Sequence, residues 1–283
     1  MSTDTSTSKN IAFLGTGNMN GAILRGVLSA GFPAESVRAT TNSRESAAAL
    51  AEETGLTVLA ASEDEEANRK LAEWADVVVL GVKPKGIVDL CREIAPAVDE
   101  DTVVVSVAAG VTIAMMEKAL PDAAIVRCMP NTPSTLQMGV LSLSENSKTS
   151  ETQVSAVASI LGAAGEVVRI PEEKINALIA VSGSGPAYAF YLAEAMADTG
   201  AQLGLDEDLA KKLAALTVRG AGAMLGANHD AAALRKAVTS PGGTTDKAIT
   251  SFDDAGMREA IAAGQRAASE RAAAMEKELS EGE

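Results

Sequence analysis

The chain has 283 residues, 47% of them hydrophobic and only 2% aromatic, and carries a formal net charge of −14 with a pI near 4.6. That length accommodates one large domain or two ordinary ones, with a core built from Ala, Val, Leu, Ile and Met. Such acidity repels phosphate backbones and excludes nucleic acid as a partner, and no apolar run approaches the roughly 20 residues a membrane span needs.

Residues 1–8 are polar and lack the apolar middle of a signal peptide, so they read as a disordered tail, with the cytoplasm as the expected compartment. Cys91 and Cys128 each sit in an apolar stretch and read as small buried hydrophobes, not as a disulfide framework or a metal cluster; no metal is expected. His229, between Asn228 and Asp230, reads as a solvent-facing helix end. The acidic residues are scattered through alanine-rich helices. That pattern suits a halophile-like surface in a salty cytoplasm, with an ordinary acidic protein as the plainer alternative.

Asn10–Leu14 is a strand-like apolar run that ends in Gly15-Thr16-Gly17-Asn18-Met19-Asn20-Gly21. Helical periodicity then runs through Ile23, Leu24, Val27 and Leu28 to Gly31. Strand, glycine turn and helix are the context a dinucleotide fingerprint requires, with Leu14, Gly15, Thr16, Gly17, Asn18 and Met19 around the coenzyme. Gly15 makes the turn, and Gly17 lets a pyrophosphate approach the backbone at the helix N-terminus. Asn20 stands where a third small residue is expected, which bears on how closely helix and strand pack.

A second strand over 36–41 ends in Thr41-Asn42-Ser43-Arg44. An NAD enzyme usually places Asp or Glu there for the ribose 2′-hydroxyl; hydroxyls, an amide and a guanidinium suit a 2′-phosphate, with Arg44 as its ionic partner. The alternative is an ordinary helix start capped by Asn42 or Ser43. A strand at 57–59 and a helix over 63–74 follow. The continuous run 76–82 reads as a buried parallel strand whose end, Gly81-Val82-Lys83-Pro84, lines the nicotinamide half of the crevice. Lys83 reads equally as a solvated strand end.

Another buried strand over 102–110, a Met-rich helix to Leu120 and a strand over 124–128 continue the alternation. Met129-Pro130-Asn131-Thr132-Pro133 then reads as a rigid exposed loop. It either offers the Asn131 amide to the nicotinamide or substrate, or simply connects two elements. Residues 139–143 and 166–170 read as late edge strands around a helix over 152–161. The fold class expected for 9–170 is therefore α/β, a Rossmann-like doubly wound sheet. From Pro171 to 283 everything reads as helix, broken at Ser182-Gly183-Ser184-Gly185-Pro186, with apolar stripes that call for a subunit interface. Gly220-Ala221-Gly222-Ala223 would let helices approach closely.

Within that all-α half, Ser240-Pro241-Gly242-Gly243-Thr244-Thr245 stands out. Pro241 presets one dihedral, Gly242 and Gly243 open others, and Thr244 or Thr245 can cap the helix that resumes at Ala248. The loop reads either as an anion site with outward N–H groups or as a well-capped turn.

Five spaced motifs then carry a resemblance. Gly15-Thr16-Gly17-Asn18-Met19, Val82-Lys83-Pro84, Met129–Pro133, Ser182–Tyr188 and Val238–Thr245 fall in the order seen in the pyrroline-5-carboxylate reductase family and span the chain after its tail. The resemblance implies reduction of 1-pyrroline-5-carboxylate to L-proline, the last step of proline biosynthesis, with NADPH as hydride donor and NADH as the alternative. It implies an N-terminal Rossmann domain and an all-α dimerisation domain, a homodimer that can assemble into a decamer, and an active site between one subunit's nucleotide domain and its partner's helices. It assigns Thr245 to the ring nitrogen and Ser240 with Gly242 to Thr244 to the substrate carboxylate. Asn228 stands near where the family often carries an acidic residue. Hydroxyacid dehydrogenases share this layout, but the chain has no lysine between Gly185 and Lys211 to serve as theirs does. A non-catalytic NADP-binding paralogue is the other alternative; the intact Ser240–Thr245 loop speaks against it.

Overall fold

A computed structural model describes residues 9–282; the expected tail over 1–8 lies outside the described residues. Two compact units are present: one running through Gly183 and joined by Ser269 onward, the other spanning Ser184–Ala268.

In chain order, the first unit contains β1 (Ile11–Leu14), α1 (Asn18–Ser29), β2 (Val37–Thr41), α2 (Arg44–Thr54), β3 (Thr57–Ala60), α3 (Ala67–Trp74), β4 (Val77–Leu80) and α4 (Ile87–Ile94). It continues with β5 (Val103–Ser106), α5 (Ile113–Ala119), β6 (Ala124–Arg127), β7 (Gly139–Glu145), α6 (Glu151–Gly162), β8 (Gly165–Arg169) and the short α7 (Ile175–Leu178). Among the described residues the strands form one eight-stranded sheet in the order β3-β2-β1-β4-β5-β6-β7-β8, parallel except where β7 runs against β6. β7 is thus an inner strand, not the edge its late position suggested; of the two late strands only β8 lies at an edge.

The central strands are apolar on both faces because both faces are covered. Alternate residues feed two separate cores. Ile11, Phe13, Val77, Val79, Val103 and Val105 pack with Ile23, Leu24 and Val27 of α1 and Val157 and Ile160 of α6. Ala12, Leu14, Val78, Leu80 and Val104 pack with Leu71 of α3, Ile87 and Ile94 of α4 and Met116 of α5. Strand order reverses between β1 and β4, so their loops part and leave a crevice at the carboxyl ends, the usual ligand site of this architecture.

The first unit runs on past Pro171, where the sequence changes character: Ile175 is fully buried and Glu172 bonds to Ile113 and Arg127. Two further expectations change. Residues 182–186 do not break the helix into a loop: Ile179–Gly183 is a π-helical stretch, and α8 (Gly185–Gln202) begins at once with Pro186 in its first turn. The helix expected over 63–74 starts only at Ala67, after a turn in which Asp64 accepts from the Glu66 N–H.

The second unit comprises α8, α9 (Glu207–Ala227), α10 (Ala231–Ala237), α11 (Thr244–Asp254) and the first part of α12 (Met257–Glu281). α9 is capped by Asp206, which accepts from the Asp208 and Leu209 N–H groups. The buried residues of this unit are all small: Ala197 of α8 and Ala210 and Ala214 of α9. Close approach occurs where Gly200 faces Ala210, whereas added Cβ atoms at Gly220 and Gly222 would meet nothing within 4 Å among the described residues. Phe190, Tyr191, Leu203 and Leu209 remain exposed. An apolar surface of that kind on an isolated helical unit marks an association face. Among the described residues no helix is long and apolar enough to cross a membrane, and no cluster of His, Cys, Asp or Glu could hold a metal ion.

Candidate active site

The crevice between β1 and β4 opens into a cleft of about 930 Å³. Gly15 to Met19 form one wall and Gly81 to Pro84 another; Thr41, Asn42 and Ser46 close one end and Val107 to Ala109 the other. Gly15 has φ +74°, and a Cβ on it would lie 2.4 Å from Val82 Cγ1, so only glycine fits both the turn and the contact. The turn is pinned to β2: the Gly15 N–H donates to Thr40 Oγ1 at 3.0 Å, and the Thr16 N–H to Thr40 O at 2.7 Å. Thr40 Oγ1 in turn donates to Asn68 Oδ1 at 2.7 Å.

Helix α1 follows Gly17, its N-cap, with no side-chain cap and no acidic residue in its first turn. Its leading N–H groups therefore stay available to an anion, with the positive end of the helix dipole behind them. A Cβ on Gly17 would meet nothing within 4 Å: the backbone here faces open cleft. Bare N–H groups at a glycine turn, beside an elongated apolar cleft, are a cradle that fits a dinucleotide diphosphate.

Several expected contacts resolve differently. Leu14 is fully buried in the core and presents no side chain to the cleft. Ser43 caps α2, accepting from the Ser46 N–H at 3.3 Å, and it is Ser46 that lines the cleft. Arg44 does not line the cleft; it is exposed and pairs with Glu63 at 3.5 Å. Asn131 is not an outward amide on an exposed loop. It is buried, its Nδ2 donating to Ser182 O and its Oδ1 accepting from the Val140 N–H, both at 2.9 Å, so it ties the β6–β7 loop to the π-helical stretch. Asn20 does not loosen the packing of helix on strand. It is buried, with Nδ2 donating to Val79 O at 3.2 Å and Leu14 O at 3.4 Å, and it fits because residue 81 is glycine.

Thr40, Asn68 and Val107 to Ala109 were missed by sequence reasoning. The last three follow the end of β5, beside β4, and the strand-end argument applied to Gly81 would have reached them. Cys128 is fully buried, and burial pushes its thiol well above the ordinary range, so it stays a neutral packing group.

In the helical unit, Gly242 has φ +72°, and α11 begins at Thr244 with Gly243 as its N-cap. Neither Thr244 nor Thr245 caps the helix. The Gly243 N–H donates to Ser240 O, and the Gly242 N–H to Asp246 Oδ2, both at 2.9 Å. Two of the N–H groups expected to point outward are thus occupied within the loop. The available donors are those of the first turn, at Thr244 and Thr245, together with the hydroxyls.

A glycine-turn Rossmann unit with such a cleft, followed by a helical unit with an apolar face, defines a nicotinamide-dependent oxidoreductase. Comparison with known proteins specifies which. Residues 10–110 match the family model described as NADP oxidoreductase, coenzyme F420-dependent, and residues 172–275 match pyrroline-5-carboxylate reductase dimerisation. A pyrroline-5-carboxylate reductase of Pseudomonas aeruginosa is 39% identical over 272 residues, covering 95% of this chain and 97% of its own. Among solved structures, one from Coxiella burnetii is 37% identical with a TM-score of 0.88, covering 96% of this chain and 99% of its own. Another from Plasmodium falciparum, with NADP bound, is 26% identical with a TM-score of 0.80, covering 95% of this chain and 98% of its own. The chain belongs to the pyrroline-5-carboxylate reductase family.

Proposed function

We propose that this chain reduces 1-pyrroline-5-carboxylate to L-proline with NADPH. One observation supports the reading above all: this chain, matched along nearly its whole length by a pyrroline-5-carboxylate reductase, itself carries both the glycine turn and the Ser240–Thr245 loop. The coenzyme supplies a hydride. The protein's task is to hold the substrate's C=N carbon in register with it, which needs no covalent nucleophile.

Gly15 to Met19 hold the diphosphate at the start of α1. Gly81 to Pro84 and Val107 to Ala109 shape the nicotinamide end, and Thr41, Asn42 and Ser46 the adenosine end. Arg44, exposed and released from its pairing with Glu63, is the ionic partner for a 2′-phosphate, which favours NADPH over NADH. In a second copy of the chain, Ser240 and Gly242 to Thr244 border the substrate carboxylate, with the N–H groups of the first turn of α11 as donors. The Thr245 hydroxyl orients the ring nitrogen, and water completes the proton transfer. Association through the exposed helical face gives a dimer, with a decamer as the larger assembly, in the cytoplasm. The acidic surface suits high salt: added KCl should raise the melting temperature by screening repulsion among the excess carboxylates.

The test is loss of NADPH absorbance at 340 nm. Oxidation with the pyrroline acid, and none with a 2-oxo acid or without substrate, is the expected outcome. Turnover of the oxo acid alone would remove the proposal in favour of a hydroxyacid dehydrogenase.

A further inference from the structure

We propose that the end of α12 is a positioning brace for the coenzyme cleft, holding the Val107–Ala109 wall from behind through Leu279 and Glu276. The proposal rests on the reading of that cleft as the NADPH site.

The wall follows β5. Its first residues hang from the sheet: the Val107 N–H donates to Leu80 O at 3.2 Å and the Ala108 N–H to Ser106 Oγ at 3.3 Å. The chain then turns at Gly110, with φ +79°, and presses its bare Cα against α12. A Cβ there would stand 2.9 Å from Leu279 Cδ1 and 3.5 Å from Met275 Cβ. Leu279 packs on the core cluster that contains Ala108 and Val111.

Three residues past the turn a second grip follows. The Ile113 N–H donates to Glu172 Oε1 at 2.9 Å, and the same oxygen accepts from Arg127 Nη1 at 2.9 Å. Arg127 Nη2 donates to Glu276 Oε1 at 2.6 Å, and Glu276 Oε2 accepts from Asn176 Nδ2 at 2.9 Å. The Arg127 side chain is only 2% exposed, so this one buried cation fixes two carboxylates at once. A slip of α12 by one turn would break the ion pair and vacate the seat of Gly110 together. The loop that walls the cleft is thereby held at Gly110 by the helix and at Ile113 by the network to which the helix belongs. None of these side chains lines the cleft, so they act through the wall.

The experiment compares wild type with Leu279→Ala, Glu276→Ala, the conservative Glu276→Gln and the exposed control Lys277→Ala. NADPH affinity is read from coenzyme fluorescence, saturation kinetics from the 340 nm assay, and amide hydrogen exchange from residues 107–113 and 275–281. The two alanine variants should bind NADPH about 3- to 10-fold more weakly, exchange faster at 107–113, and keep their KM for the pyrroline acid at saturating NADPH. Gln at 276, which still offers an acceptor to Arg127, should restore most of the affinity, and Lys277→Ala should match wild type. In wild type, NADPH should slow exchange at 275–281 as well as at 107–113, since coupling is reciprocal.

Folded alanine variants with unchanged NADPH affinity would overturn the brace. Should those variants fail to fold, absence of coenzyme-dependent protection at 275–281 in wild type overturns it independently. A wild type that binds no NADPH at all removes the reading of the cleft, and the brace falls with it.

Discussion

Gly81 and Asn20 form an interlocked pair, and replacing the glycine by alanine tests whether the cleft floor is built as described. A Cβ on Gly81 would sit 2.2 Å from both Cγ and Nδ2 of Asn20, against an ordinary contact of about 3.5–4.0 Å. Asn20 is 1% exposed and cannot swing aside. Overpacking of this kind costs about 1–3 kcal/mol, and Gly81→Ala should fall in that range. Asn20→Ala behaves differently. It removes two long hydrogen bonds, at 3.2 and 3.4 Å, each worth at most about 1 kcal/mol net, but also deletes a buried Oδ1 that has no partner among the described residues, whose burial costs about 1–3 kcal/mol. The terms nearly cancel, so the single variant should lie within about 1 kcal/mol of wild type. The double variant should then recover most of the loss caused by Gly81→Ala, giving a coupling of about 1–2 kcal/mol. Urea denaturation at one fixed protein concentration reads all four corners of the cycle, and the slope with denaturant should stay constant. Strict additivity, or a Gly81→Ala variant as stable as wild type, would refute the interlock.

Other perturbations follow from the same geometry. Thr245→Ala should lower turnover about 10²-fold while NADPH binding persists, measured by kcat and coenzyme fluorescence; unchanged turnover would remove Thr245 from its assigned role. Arg44→Ala should weaken NADPH and leave NADH unaffected, and Glu63→Gln, which frees the guanidinium, should strengthen NADPH; equal effects on the two coenzymes would contradict the 2′-phosphate assignment. Arg25 holds Glu53 through two bonds, Nε to Oε1 at 2.5 Å and Nη2 to Oε2 at 2.7 Å, and this pairing lowers the Glu53 carboxyl below its ordinary range. A depressed carboxylate stabilises the fold above its unfolded pKa, and that contribution disappears as pH falls through the folded value. Arg25→Ala should therefore flatten the acid limb of the stability profile and leave stability at low pH unchanged.

How much of this was legible in the chain depends on where the partners lie. The Val77–Leu80 run, the Gly15–Gly17 turn and the loop at Gly242 are local signals: period, glycine and proline within a few residues. Their structural counterparts sit close to where they were expected. Asn131 was misjudged because an amide between two prolines looks presented, whereas its actual partners, Val140 and Ser182, lie 9 and 51 residues onward. Arg127 lay inside the expected strand over 124–128 with no role of its own. Its meaning comes from Glu172 and Glu276, 45 and 149 residues away, which no local pattern reveals. Asn20 broke the glycine fingerprint on paper, and only the register of β1 with β4 brings Gly81 opposite to absorb it. The cap of α11 failed for a smaller reason. Threonine is a good N-cap, but the chain takes its extended conformation one residue earlier, at Gly243, and Asp246 reaches back to Gly242.

The most direct measurement follows the hydride itself. NADPH carrying deuterium at C4, on either face in separate samples, is incubated with the enzyme and 1-pyrroline-5-carboxylate, and the product is read by mass spectrometry and NMR. One coenzyme sample, and not the other, should deliver a single deuterium to C5 of L-proline. Proline without the label from either sample, or coenzyme oxidised with no proline formed, would contradict the account.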